Sequence, residues 1–230
     1  MAHVDDSLSY MDADSDLRIS RSRLYVDGVE KGGVKKIGKG AFAVAYMTTD
    51  TKKPRVLLVV REDDAGDYSK SALFELNRDG NGSTFLPKVT RAGWMGDTPV
   101  YEMPLYRAPL KKGDSPKAWA QYRVLKRCWD STEDAMREKL GWKEASNPHH
   151  GHVQMDGVIA CARRDKAVTP ALVKALKTLQ SYMADYGADY RFEFSPRNLA
   201  TTANGRLILL DTTFSMEALN RQRAAARKKH

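Results

Sequence analysis

The stretch FEFSPRNLATTANGRLILLDTTF, residues 192–214, sets Glu193 five positions before Asn198 and Asn198 thirteen before Asp211. A loop holding Pro196, a turn at Asn204-Gly205 and the apolar strand LILL deliver the Asp211 carboxylate. Taken alone, Asn198 reads as a side chain that caps its loop, and Asp211 as a turn former beside Thr212 and Thr213. A second group is IGKGAFAVAY, from Ile37 to Tyr46, with Gly38 and Gly40 followed by Phe42. Glycines there let backbone N–H groups approach phosphate oxygens, because no Cβ stands in the way. A tight hairpin turn accounts for the same two glycines. A third group, NPHHGH, gathers His149, His150 and His152. With Asp156 as the one neighbouring carboxylate and no cysteine pair, it reads as an exposed loop rather than a zinc site.

The elements that must position these groups follow from the wider pattern. A chain of 230 residues with 42% hydrophobic composition can bury one large domain or two modest lobes. Its 38 Lys and Arg against 29 Asp and Glu give +9, which suits phosphates, nucleic acid or acidic protein surfaces as partners. Cys128 and Cys161 are too few for a disulfide scaffold, and no apolar run after Met1 resembles a signal peptide. No apolar stretch approaches the roughly 18–20 residues that cross a bilayer. The expectation is a soluble, cytoplasmic protein without a membrane partner.

Residues 1–33 read as an acidic, flexible arm with a leading strand, Asp5, Asp6, Asp12, Asp14 and Asp16 being crowded into its first half. Residues 34–112 read as a β-rich lobe: a glycine hairpin, the buried strand RVLLVV, a short helix over 67–78 capped by Asp67 or Ser69, and a strand from Val100 to Tyr106. Residues 113–217 read as helical. Ser115-Pro116 opens a helix through about Leu140 with a break near Ser131, and Thr169-Pro170 opens another. The second helix lines Leu172, Leu176, Leu179, Met183 and Tyr186 along one face and stops at Gly187. Residues 218–230 form a basic tail carrying Arg221, Arg223, Arg227, Lys228 and Lys229. Trp94, Trp119, Trp129 and Trp142 read as packing residues.

Joined in order, Gly38-x-Gly40-x-Phe42, a strand ending LVV-Arg61, a helix with Glu75, the loop from Glu193 to Asn198 and a strand ending at Asp211 resemble the signature set of protein kinases. In detail the chain resembles the small protein kinases made early in infection by short-tailed autographivirus phages, over roughly residues 34–214. The resemblance implies an α+β, bilobal kinase-like fold, with a small β-rich N-lobe and a helical C-lobe lacking most of the C-terminal substrate platform. It implies ATP and Mg²⁺ as cofactors. Gly38, Gly40, Phe42 and Arg61 would bind the nucleotide, Glu75 would position Arg61, Asn198 and Asp211 would hold the metal, and Glu193 would orient the acceptor hydroxyl.

Several positions depart from that family pattern. Arg61 stands where the family strand ends in lysine, and a planar guanidinium does not replace an ammonium at a tight phosphate site. Glu193 stands at the catalytic aspartate position and Arg191 at the histidine position. The carboxylate chemistry survives, but it reaches one methylene further. Ala43 replaces a glycine, Asp211-Thr212-Thr213 replaces Asp-Phe-Gly, and nineteen residues follow Asp211. The implied activity is phosphoryl transfer to Ser or Thr of host proteins in the host cytoplasm. The alternative is a pseudokinase that docks on a host factor through its surface or basic tail. Nucleic acid could meet that tail but is not expected as a substrate.

Overall fold

The structure, a computed structural model, describes residues 14–39, 43–60, 73–141, 151–185 and 190–215, with residues 220, 221 and 224 of the tail. It divides into two compact units. One takes in residues up to Arg78 together with Lys88–Leu105; the other takes Asp79–Pro87 and everything from Tyr106 onward.

The first unit is a seven-stranded antiparallel sheet with a short helix, α1, over 73–78. Its strands are β1 (Leu17–Ser20), β2 (Arg23–Val26), β3 (Val29–Lys39), β4 (Ala43–Thr48), β5 (Arg55–Val60), β6 (Thr90–Met95) and β7 (Thr98–Pro104), in the spatial order β1-β2-β3-β4-β5-β7-β6. Residues 17–33, the later half of the segment read as an acidic arm with a leading strand, supply two strands and the start of a third. Asp27 and Gly28 both have positive φ, at 50° and 79°, the backbone of a two-residue hairpin turn whose twist matches that of its strands. Leu17, Leu24 and Val26 join Val34, Leu57, Ala92 and Val100 in one buried cluster.

The sheet curls until its ends meet. Asp16 bridges Trp94 in parallel, and the Trp94 N–H donates to Ser15 O at 2.8 Å. Gly93 permits this approach: its φ is 138°, and a Cβ there would lie 2.3 Å from Ser15 O. Strand β6 is absent from the sequence reading. On β7, the buried Glu102 pairs with Arg55 of β5.

Among the described residues, the second unit holds three long helices and two small ribbons. Helix α2 (Pro116–Leu140) begins at Ser115, whose side chain accepts the Ala118 N–H at 3.2 Å, with Pro116 in the first turn where its missing donor is harmless. It runs unbroken past Ser131 and ends at Gly141 with φ 78°. Helix α3 (Gly151–Ala162) was not expected; it begins inside the histidine segment, so His152 lies on a helix, while His149 and His150 fall outside the described residues. Helix α4 (Pro170–Asp185) buries Leu172, Leu176 and Leu179, the face its spacing predicts. The two cysteines, too few for a disulfide scaffold, form a single disulfide between α2 and α3. No described helix is long and apolar enough to cross a membrane.

Candidate functional site

Two short antiparallel ribbons in the second unit build the site. Strand β8 (Tyr190–Phe192) pairs with β11 (Thr213–Ser215), and β9 (Leu199–Thr201) pairs with β10 (Leu207–Leu209). Chain segments 193–198 and 210–212 carry the backbone from one ribbon to the other. Because both segments make the same crossing, they lie side by side and exchange backbone hydrogen bonds. The Glu193 N–H donates to Thr212 O at 2.8 Å, and the N–H groups of Leu210 and Asp211 both donate to Asn198 O at 3.0 Å. Glu193, Asn198 and Asp211 are thus brought to one place by main-chain bonds between the two crossings.

The frame beneath these residues is apolar. Leu199, Ala200, Leu207, Ile208 and Leu209 are all buried, so the greasy LILL segment serves as a core strand. Leu209 N–H donates to Phe85 O, and Thr201 exchanges two backbone bonds with Arg107. Leu110 N–H is shared between the Pro196 and Leu199 carbonyls, which fixes the single 3-10 turn at Pro196–Asn198. Phe192 and Phe194 flank Glu193 and are buried, so the backbone alternation turns the glutamate outward. The Trp129 ring of α2 meets the Phe194 ring edge-on at 5.7 Å.

The outward residues are polar and accessible. Glu193 and Asp211 are exposed and Asn198 is half-buried. Asn198 Nδ2 donates to Glu193 Oε2 at 3.1 Å, a contact that spacing alone did not reveal. That bond uses the amide nitrogen and leaves Oδ1 as an oxygen donor, while the Asn198 main-chain carbonyl meets the Asp211 N–H. One amide oxygen and one carboxylate are hard donors of the kind that hold Mg²⁺ when phosphate and water complete its shell, so the residues present fit that ion. They do not form a closed cage: among the described residues there is no cluster of three or more metal-ligating side chains. Glu193 makes no ion pair with Arg191 or Arg197 among the described residues. Burial lowers the Arg191 pKa from its ordinary value, and the Glu133 carboxylate opposes that shift.

The remaining expected residues divide by position. Gly38 lies in β3 opposite Ala45, at an irregularity in the register, and is exposed. A Cβ on Gly38 would meet only the Ala45 Cβ, at 4.0 Å, so the sheet itself does not demand glycine there. Glu75 is half-buried on α1. Both belong to the first unit, whereas Glu193, Asn198 and Asp211 belong to the second. Gly40, Phe42 and Arg61 lie outside the described residues, as do the proposed helix caps Asp67 and Ser69 and most of the basic tail.

No protein-family model and no curated protein matches the chain. Among solved structures it is similar to the choline kinase LicA from Streptococcus pneumoniae, with 14% identity and a TM-score of 0.34. The match covers 80% of this chain and 65% of that one, so the chain spans less than two thirds of the kinase's length.

Proposed function

We propose that the chain is a Mg²⁺- and nucleotide-dependent phosphotransferase of the kinase type, with its reacting end at Glu193, Asn198 and Asp211. The observation that supports this reading is the pair of adjacent crossings, which present an amide, a metal-competent carboxylate and a second carboxylate on one accessible edge. Magnesium nucleotide, when bound, supplies the phosphoryl group and neutralises charge on its oxygens. Asn198 Oδ1 and Asp211 would hold the ion. Glu193 Oε2 already accepts a bond from Asn198, which orients the carboxylate, and Oε1 has no hydrogen-bond partner among the described residues. That free oxygen is the group that would accept a hydrogen bond from an acceptor hydroxyl and align it. Gly38, a glycine the sheet does not need, would allow backbone approach to phosphate, with Gly40, Phe42 and Arg61 completing the nucleotide contacts and Glu75 holding Arg61.

The resemblance to phage early kinases makes Ser and Thr hydroxyls of host proteins the first acceptors to try. A second reading is nucleotide binding without turnover, with docking on a host protein. It is favoured by the same Asn198–Glu193 bond, which occupies one oxygen of the carboxylate expected to act. Thermal melting with Mg²⁺ and ATP tests the shared part of both. At ligand about 100 times Kd the folded state gains about 2.7 kcal/mol, a rise of roughly 5–10 °C for a chain of this size. Asp211→Ala should lose that rise. An unshifted wild-type melt at millimolar nucleotide would remove both readings, while a shift without label transfer from ATP to any host protein would leave the second.

A further inference from the structure

Helix α2 carries one end of the disulfide and also packs against the candidate site's first crossing. Cys128 and Cys161 join α2 to α3 across 33 residues of sequence, with Cα atoms 5.6 Å apart. Cys128 is buried and Cys161 half-buried. The next residue along α2, Trp129, packs edge-on against Phe194, and Phe194 is the residue after Glu193. Phe194 is 1% exposed, so the ring fixes where the 193–198 crossing begins. At the same level the two helices approach closely: a Cβ on Gly157 of α3 would lie 2.4 Å from Thr132 Cγ2, and Thr132 Oγ1 donates to Cys128 O at 2.8 Å. A cross-link here holds the α2 turn from which Trp129 projects.

We propose that the Cys128–Cys161 bridge is a thiol-responsive latch on the candidate site, with Trp129 and Phe194 as the positioning residues that carry its state to Glu193 and Asn198. The proposal rests on the site assigned above and adds its regulation. In the exchange, the thiolate of a small-molecule thiol attacks the more accessible Cys161 sulfur, the S–S bond breaks, and Cys128 leaves as a thiolate that takes up a proton. A second equivalent of thiol then resolves the mixed disulfide, leaving two cysteine thiols and one oxidised disulfide of the reductant. With the bridge closed, Trp129 is held and the 193–198 crossing keeps its bonds to 210–212. With the bridge open, α2 and α3 can shift at this level and the crossing loosens.

The test uses the full chain without nucleotide. Intact mass after thiol alkylation reports the bridge, before and after dithiothreitol, and amide hydrogen exchange reports the peptide spanning 192–199. Opening the bridge should speed exchange in that peptide about tenfold while leaving the peptides of β4 and β5 unchanged, and reoxidation should restore it. Trp129→Phe, which keeps a ring at the contact, should retain the response; Trp129→Leu should speed exchange with the bridge still closed. Full opening by mass with unchanged exchange at 192–199 would overturn the latch, as would two free thiols in protein purified without reductant and then treated with a mild oxidant. A response in exchange without any nucleotide-dependent melt shift would keep the latch and discard the phosphotransfer reading. The converse pair of results would do the opposite.

Discussion

Glu193→Gln separates chemistry from architecture at this site. The side chain is exposed, and its neighbours Phe192 and Phe194, not the glutamate, supply the buried contacts that hold the crossing. The amide keeps an oxygen able to accept the Asn198 N–H, so stability should change by less than about 0.5 kcal/mol. The nucleotide-dependent melt shift should survive, because neither metal donor has been altered. What is lost is the negative charge that aligns and accepts a proton from the acceptor hydroxyl, a contribution of about 10²–10⁴ in rate, or roughly 3–5 kcal/mol of barrier. Glu193→Asp withdraws the carboxylate by about one methylene and breaks the contact with Asn198 at 3.1 Å. A misplacement near 1 Å is enough for about 10²-fold, so the shorter acid should also be slow despite its charge. The assay is steady-state transfer of labelled phosphate from ATP, measured beside nucleotide affinity. A Glu193→Gln rate within threefold of wild type, or loss of nucleotide binding equal to that of Asp211→Ala, would refute the role assigned to this carboxylate.

Other perturbations test the frame. Gly93→Ala combines a φ of 138° with a Cβ 2.3 Å from Ser15 O, and should destabilise the sheet unit by about 2–5 kcal/mol in urea melts; a change under about 1 kcal/mol would mean that the curled sheet does not close at Asp16 and Trp94. Burial raises the Glu102 pKa above the ordinary glutamate value, with Arg55 opposing, so the stability this group gives by binding a proton is full below that ordinary value and is lost as pH rises through the folded one. Glu102→Gln should therefore be near neutral at pH 7, and wild type should gain on it as pH falls toward about 4. A loss above about 2 kcal/mol at pH 7 would show instead that the ion pair outweighs its desolvation. Ser115→Ala removes the α2 cap and should destabilise by about 1 kcal/mol, read by chemical denaturation, with Ser115→Asp retaining the cap.

How far the sequence could be read depended on whether its signals were local. The hairpin from Leu199 to Leu209 was legible because Asn204-Gly205 marks the turn and LILL marks a buried strand. The start of α2 was legible from Ser115-Pro116, and the face of α4 from its leucine spacing. Strand β6 was hidden because Gly93 interrupts TRAGWM, and the reason for that glycine is a distant backbone, Ser15 O. Helix α3 was hidden for a different reason. Met155, Val158 and Ile159 are buried while Val153 is 56% exposed, so GHVQMDGVIACA lacks a clean polar face. Its Gly157 exists for the close approach to Thr132. For the first hairpin the local signal is Asp27-Gly28, which lies beyond the acidic run and sets the turn between β2 and β3.

The same distinction explains the site. Spacing could nominate Glu193, Asn198 and Asp211, since each depends on a short stretch and an order along the chain. It could not show that two crossings between ribbons run side by side, because that follows from β8 pairing with β11 outside the β9–β10 hairpin. This nested pairing makes Asn198 O the common acceptor for Leu210 and Asp211, and sets Thr212 O to receive the Glu193 N–H. A shift of either ribbon by one residue would turn the apolar partners outward and separate the three polar groups together. Fold stability and site geometry are therefore the same register here, and substitutions in the buried faces of these ribbons should disturb the polar edge even where they leave every site residue in place.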